Sequence, residues 1–179
     1  MEDENSFELF DEVEDMITDK QLVELVEHFK KTKPMVYNGK GCFSRLFVHT
    51  DSGLSQMEIN KILSKHKGFV LPKSYAELLK YSNGIGFMEF YDCKLDSLEE
   101  AFEYTDEDFY NEKYLSIGTF HEDYIYIKCD GSEKNVYFSN EGIDELEPLN
   151  MSFTAFMEAS LISGFSYFWL WGRDNYDLY

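Results

Sequence analysis

The stretch Phe-Val-Leu-Pro-Lys-Ser-Tyr-Ala-Glu-Leu-Leu-Lys-Tyr-Ser-Asn-Gly, residues 69–84, constrains the fold more than any other part of the chain. Pro72 suits the first turn of a helix, where a missing N–H costs nothing. Tyr75, Leu78, Leu79 and Ser82 recur at helical spacing and predict one apolar face. Asn83-Gly84 predicts the stop, because glycine accepts the left-handed conformation of a C-terminal cap. The run from Gly86 to Tyr91 follows at once and reads as a strand. A helix that ends on Asn-Gly and feeds directly into a sheet is the hinge of the fold. The same features are ordinary core architecture, and none has the pattern of a catalytic motif.

With 179 residues the chain fits one domain with an appendage and can bury a sizeable core. Aromatic residues make up 17% of it, which points to a packed globule rather than a disordered chain. Its formal net charge of −19 argues against nucleic acid, whose phosphates need Lys and Arg, and against anionic membranes. The same charge favours a basic partner and fast, salt-sensitive association, although acidic surfaces also simply keep proteins soluble. Cys42, Cys93 and Cys129 are odd in number and far apart, a pattern of reduced thiols. The start, Met-Glu-Asp-Glu-Asn, is acidic where a secretory signal is basic, and the run from Phe165 to Trp171 is too short to span a bilayer. The expectation is a cytoplasmic protein.

Taken in order, Phe7, Phe10, Val13 and Ile17 fall near helical spacing inside an acidic run and predict a short amphipathic helix. Thr18 to Gln21 fits a capping box, opening a helix with Leu22, Leu25, Val26 and Phe29 inward and Pro34 beyond its end. Residues 34–54 read as irregular, with a short strand available at Ser44 to His49. Ser55 to Glu58 and Ser97 to Glu100 are further capping boxes, the second heading a helix through Tyr104. Residues 105–113 read as an acidic loop. Tyr114–Phe120, Asp123–Cys129 and Asn135–Ser139 are strand candidates. In the second, Ile125, Ile127 and Cys129 take one face, and Tyr124, Tyr126 and Lys128 the other. Asp130-Gly131-Ser132 makes the last two a hairpin. Ser152 caps a final helix facing inward through Phe153, Phe156, Met157 and Leu161, and the tail from Gly164 holds Trp169 and Trp171. The expected design is α+β: a mostly antiparallel sheet with helices packed on one face, plus an N-terminal helical extension.

No motif for chemistry emerges. The cysteines stand alone, and His28, His49, His66 and His121 have no zinc-type partner spacing. His121-Glu122-Asp123 is the tightest group of potential ligands, and a strand-turn surface accounts for it. Cys129 falls on an apolar strand face, so core packing is favoured over pairing with His121 as nucleophile and base. Gly84-Ile85-Gly86 is a lone GxG among negative charges. No catalytic residue, metal or cofactor is expected. Residues 89–112 carry ten acids, Glu89, Asp92, Asp96, Glu99, Glu100, Glu103, Asp106, Glu107, Asp108 and Glu112, against one base, Lys94. Phe102, Tyr104, Phe109, Tyr110 and Tyr114 stud this run, and acid with Tyr or Phe suits docking of a basic protein.

From Leu54 to Leu161 the chain resembles the SUKH superfamily, which includes bacterial immunity proteins and a yeast cell-wall-synthesis regulator. Leu71-Pro72-Lys73-Ser74-Tyr75 is similar to its Leu-Pro-x-x-Tyr, and Ser82-Asn83-Gly84 to its Asn-Gly end. Tyr114-Leu115-Ser116-Ile117-Gly118, Val136-Tyr137 and Ser152-Phe153-Thr154-Ala155-Phe156 resemble its later strands and closing helix. Glu122-Asp123 stands where the family often has Gly-Asp. The resemblance implies an α+β fold and, in bacteria, neutralisation of a cognate secreted toxin by direct binding. Many such toxins are nucleases or deaminases with basic clefts.

The resulting expectation has three parts: an acidic N-terminal helical extension over residues 1–52, a SUKH-like domain over 53–163, and an aromatic tail over 164–179 packed on the domain. The toxin-binding residues expected are Glu89, Asp92, Asp96, Glu99, Glu100, Glu103, Asp106, Glu107, Asp108, Tyr110, Glu122 and Asp123. A regulatory scaffold for cellular partners is the alternative, and a hydrolase built on clustered acids ranks below both.

Overall fold

The computed structural model of the protein describes residues 18–37, 43–87, 93–121, 123–140, 142–165 and 167–170. The helix expected around Phe7 to Ile17 lies outside them, as do Glu89, Asp92 and Glu122. In chain order the elements are α1 (Asp19–Thr32), β1 (Met35–Tyr37), β2 (Phe43–Arg45), β3 (Val48–Thr50), α2 (Gln56–Leu63) and α3 (Lys73–Tyr81). There follow β4 (Ile85–Phe87), β5 (Cys93–Leu95), α4 (Leu98–Tyr104) and α5 (Glu107–Asn111). The chain continues with β6 (Tyr114–Phe120), β7 (Asp123–Lys128), β8 (Val136–Ser139), β9 (Glu147–Pro148) and α6 (Phe153–Ile162).

The three capping boxes all form. In each, the Ser or Thr oxygen accepts from the backbone N–H three residues on, and Gln21, Glu58 or Glu100 reaches back to the cap N–H. Ser152 caps α6 through the Ala155 N–H. α1 ends as the last-turn lysines suggest, with Lys33 in the left-handed conformation and its N–H donating to Phe29 O. α3 ends differently from expectation. It stops at Tyr81, and Ser82 is already extended at φ −153°, so Asn83-Gly84 is the turn into β4 rather than a left-handed cap.

Strands β3 to β9 form one seven-stranded sheet in chain order, each antiparallel to the next, while β1 and β2 pair separately. The α+β expectation holds. Several local expectations do not. The region around Ser44–His49 splits into β2 and β3, because Leu46 turns inward and its N–H goes to Pro34 O. β1, β5 and β9, two or three residues long, correspond to no expected strand of their own. Residues 107–111 form α5 rather than a loop. The strand expected over Gly86–Tyr91 begins one residue earlier, at Ile85.

Paired residues of an antiparallel ladder share a face. Leu115 with Ile127, Gly118 with Ile125, and Cys93 with Phe120 therefore define the core face. α6 packs there, Phe156 lying 6.1 Å from Phe120, and Tyr75 of α3 meets Phe153 edge to face at 5.2 Å. α1 closes the layer against α3 and α6, adding fully buried Leu22 and Val26. In the tail, Trp169 lies against Phe120 at 5.0 Å and Phe138 at 5.4 Å. The opposite face of the sheet is not all open: the Phe109 ring of α5 stacks on Tyr126 at 4.3 Å, so Tyr126 is buried, against the alternation pattern.

The register of β6 shifts between Ser116 and Gly118. Gly118 takes φ +153°, and a Cβ there would stand 1.9 Å from Lys94 O of β5. Only glycine lets the two backbones approach. Gly118→Ala is expected to destabilise the protein by about 3 kcal/mol or more, through overpacking against backbone plus strain. Urea unfolding measures it, and an unchanged midpoint would contradict the register described here.

Candidate functional site

The acid-rich segment lies where the sheet is incomplete. β5 pairs only with the second half of β6, from Gly118 to Phe120. Beyond it, the Asp96 N–H still donates to Ile117 O, and the chain then leaves the sheet as α4. The Thr105 hydroxyl closes the gap: it accepts the Ser116 N–H at 2.8 Å and donates to Ala101 O at 2.6 Å. α4 and α5 therefore sit beside the first half of β6, held by Leu98, Ala101, Phe102 and Phe109, all buried.

This arrangement divides the acidic residues. Glu99, Glu103, Asp106, Glu107 and Asp108 are exposed on α4, α5 and the link between them. Asp96 is not on that surface: it is 6% exposed and bonded to the Lys94 ammonium at 2.5 Å. That hydrogen bond, more than nearby Glu100 and Tyr104, holds the Lys94 pKa above its ordinary value despite partial burial. Glu100 is occupied by its capping box, whose Ser97 hydroxyl and N–H hold its carboxyl below the usual range. Asp123 lies apart at the β6–β7 turn, where its Oδ2 accepts from Tyr167 Oη at 2.5 Å.

The aromatic residues sort just as sharply. Phe102 and Phe109 point inward. Tyr110 faces an interior cluster, 4.8 Å from Phe69, with its hydroxyl 3.2 Å from His66 Nδ1. His66 stacks on Phe102 at 3.7 Å, and burial lowers its pKa. Among the described Phe and Tyr residues the exposed rings are Tyr104, at the end of α4, and Tyr124, at 44%. On the outer sheet face Lys94 is paired with Thr119, and Thr119 with Tyr124, while the Lys94 ammonium lies 6.0 Å from the Tyr104 ring. A row from Tyr104 to Tyr124 thus crosses β5, β6 and β7 on that face, with the acids of α4 and α5 beside it. Beneath α5, burial pushes the Tyr126 hydroxyl up to about 12, with Asp106 and Tyr124 adding to the shift. The outward position of Tyr124 was legible in the strand alternation; that of Tyr104 needed the fold.

The candidate reactive groups are dispersed. Cys129 and His121 flank opposite ends of β7, burial pushes the Cys129 thiol up, and His121 Nε2 lies 2.8 Å from Phe165 O. Among the described residues no three His, Cys, Asp or Glu side chains converge as metal ligands, and no helix is long and apolar enough to cross a membrane.

The α4 cap offers a direct check on this geometry. Ser97→Ala is expected to cost about 1 kcal/mol at neutral pH, as cap losses do. Because the Glu100 pKa is lowered in the folded state, its contribution is present above the ordinary carboxyl value and disappears as pH falls through the folded value. The loss caused by Ser97→Ala should therefore shrink in acid, and the Glu100 carboxyl, followed by NMR, should titrate nearer its ordinary value in the variant.

Among curated proteins none matches the chain. A family model does, that of the SMI1 / KNR4 family (SUKH-1), over residues 53–159. The match starts just before α2, ends inside α6, and spans more than half of the chain. It includes the turn at Ser82–Gly84, the sheet from β4 onward and the whole acidic segment from Glu89 to Glu112. The chain belongs to the SMI1 / KNR4 family (SUKH-1).

Proposed function

We propose that this protein is an immunity protein, which binds a cognate secreted toxin domain in the cytoplasm and covers its active site without chemistry of its own. The observation that carries the reading is the segregation of exposed Glu99, Glu103, Asp106, Glu107 and Asp108 around the Tyr104 and Tyr124 row. Family membership supports it, since immunity and related regulatory roles are what the SUKH resemblance implies. A nuclease or deaminase that grips nucleic acid carries a basic cleft, and a ridge of carboxylates meets such a cleft with complementary potential. The acids steer and orient the encounter, while tyrosines give apolar contact area with a polar tip. Glu89, Asp92 and Glu122 extend the same proposal, and Asp123 belongs to it only as a margin beyond the β6–β7 turn.

Co-expression with the toxin encoded beside this gene is the first test, and rescue of growth is the expected result. In vitro, replacing Glu103, Glu107 and Asp108 together by Lys should slow association by about tenfold or more at low salt and flatten its salt dependence. These residues are exposed, so the loss of thermal stability should stay small, about 1–2 kcal/mol from placing Lys in the first turn of α5. Absence of both rescue and a low-salt complex would sink the reading. Capture of cellular proteins through the same face, without rescue, would replace it with the regulatory scaffold.

A further inference from the structure

Half-buried His66, in the turn after α2, is enclosed by side chains from two other helices. Its ring lies on the Phe102 ring of α4 at 3.7 Å, with 9° between the planes. Its Nδ1 stands 3.2 Å from the Tyr110 hydroxyl of α5, and the two rings meet edge to face at 5.8 Å. Phe69 completes the cluster, 5.1 Å from Phe102 and 4.8 Å from Tyr110. One imidazole thus ties the α2 turn to both helices that carry the acidic flank.

The surroundings of the ring oppose a proton. Lys65 and Lys67 flank it in the turn, and the Lys113 ammonium, beyond α5, lies 4.8 Å from the Phe69 ring and 5.4 Å from the Tyr110 ring. From Gly68 to Pro72, on the way into α3, the chain carries no charge. α4 brings Glu99 and Glu103, and α5 brings Glu107 and Asp108, with Glu112 at its end. Among the described residues, however, no carboxylate pairs with the imidazole, and Glu99 is engaged by Asn83 instead. Protonation also changes the polar contact. With the neutral ring protonated on Nε2, Nδ1 accepts the Tyr110 O–H; in the imidazolium both nitrogens donate, so the hydroxyl proton loses that acceptor.

We propose that His66 is a proton-sensitive clamp on the α4–α5 flank, closed while its ring is neutral and loosened when the ring takes up a proton. Loosening reaches the sheet at two points. Thr105, at the end of α4, accepts the Ser116 N–H at 2.8 Å, and Lys113 O, beyond α5, accepts the Cys129 N–H at 2.8 Å. Burial, with Lys65 adding to it, lowers the His66 pKa in the folded protein. The clamp is therefore complete above the ordinary histidine value and is lost as pH falls through the lowered one. A weakening of partner binding in mild acid rests on the function proposed above; the clamp itself is tested without a partner.

The test is amide hydrogen exchange of the full chain, followed by NMR at about pH 7.5 and about pH 5.5 and corrected for the intrinsic pH dependence of exchange. Protection of the Ser116 and Cys129 amides should fall about threefold or more in acid, while that of Phe156 and Ser163 in and after α6 should not. His66→Phe keeps a ring on Phe102 and takes no proton, so it should remove the fall. His66→Gln, which can still bond to Tyr110, should remove it too and serves if the Phe variant packs poorly. Imidazole nitrogen shifts should place the His66 midpoint below that of a free histidine. Unchanged protection in the unaltered protein, a fall shared equally by α6, a fall that persists in both variants, or a midpoint at or above the free value would each overturn the proposal.

Discussion

The rest of the structure depends on the hydrogen bonds of the turn Ser82-Asn83-Gly84. The Ser82 hydroxyl accepts the Asp51 N–H at 2.9 Å and donates to Gly84 O at 2.5 Å. The Asn83 N–H donates to Ser52 O, and the Leu54 N–H to Leu79 O. The Asn83 side chain works in the other direction: its Oδ1 accepts the Leu98 N–H at 2.8 Å, and its Nδ2 donates to Glu99 at 3.1 Å. One turn therefore joins the end of α3, the exit from β3, the start of β4 and the first turn of α4. Gly84 is needed at φ +118°, where a Cβ would also come within 3.0 Å of Asp51 Oδ2. Buried polar groups must be paired, so this set of partners admits little variation in how the four elements meet.

Fixing α4 at that point decides where the acids stand. Once the Leu98 N–H is held by Asn83, α4 must leave the sheet after Leu95, and β5 stays short. α4 and α5 then fill the vacated flank of β6, with Thr105 completing the ladder. Glu99 and Glu100 fall in the first turn of α4, and Glu107 and Asp108 in the first turn of α5. Carboxylates are favoured at the positive end of a helix dipole. Much of the acidic surface thus sits where the backbone stabilises negative charge, so it strains the fold less than its count suggests.

Features encoded within a few adjacent residues were legible in the sequence. The capping boxes at Thr18, Ser55 and Ser97 each need only four positions, and each formed as read. The strand β6 was read to its exact ends because its seven residues carry a full apolar pattern. Features that depend on distant partners were not legible. α5 has five residues and no periodicity of its own; it exists because Phe109 finds Tyr126. Tyr126 in turn breaks its alternation because α5 covers it. Among the acids, nearness in sequence exaggerated nearness in space. Asp96 turned inward to Lys94 and Glu100 to its own cap, while Asp123 ended beyond the β6–β7 turn with Tyr167.

The charge of −19 is also distributed unevenly. Between Lys20 and Lys80 there are eleven Lys and Arg and five Asp and Glu, whereas from Tyr81 to Tyr179 there are five and twenty-one. The first interval supplies most of α1, α2 and α3; the second supplies the acidic segment and most of the sheet. Residues 1–19 add nine acids and no base, so the basic stretch is flanked by acid on both sides in the sequence. The carboxylates exposed on α4 and α5 steer a basic partner toward that surface before contact. The turn between α3 and β4 divides the basic stretch from the acidic one in the chain, and its hydrogen bonds to Leu98 and Glu99 tie the acidic surface to the helix that ends the basic stretch.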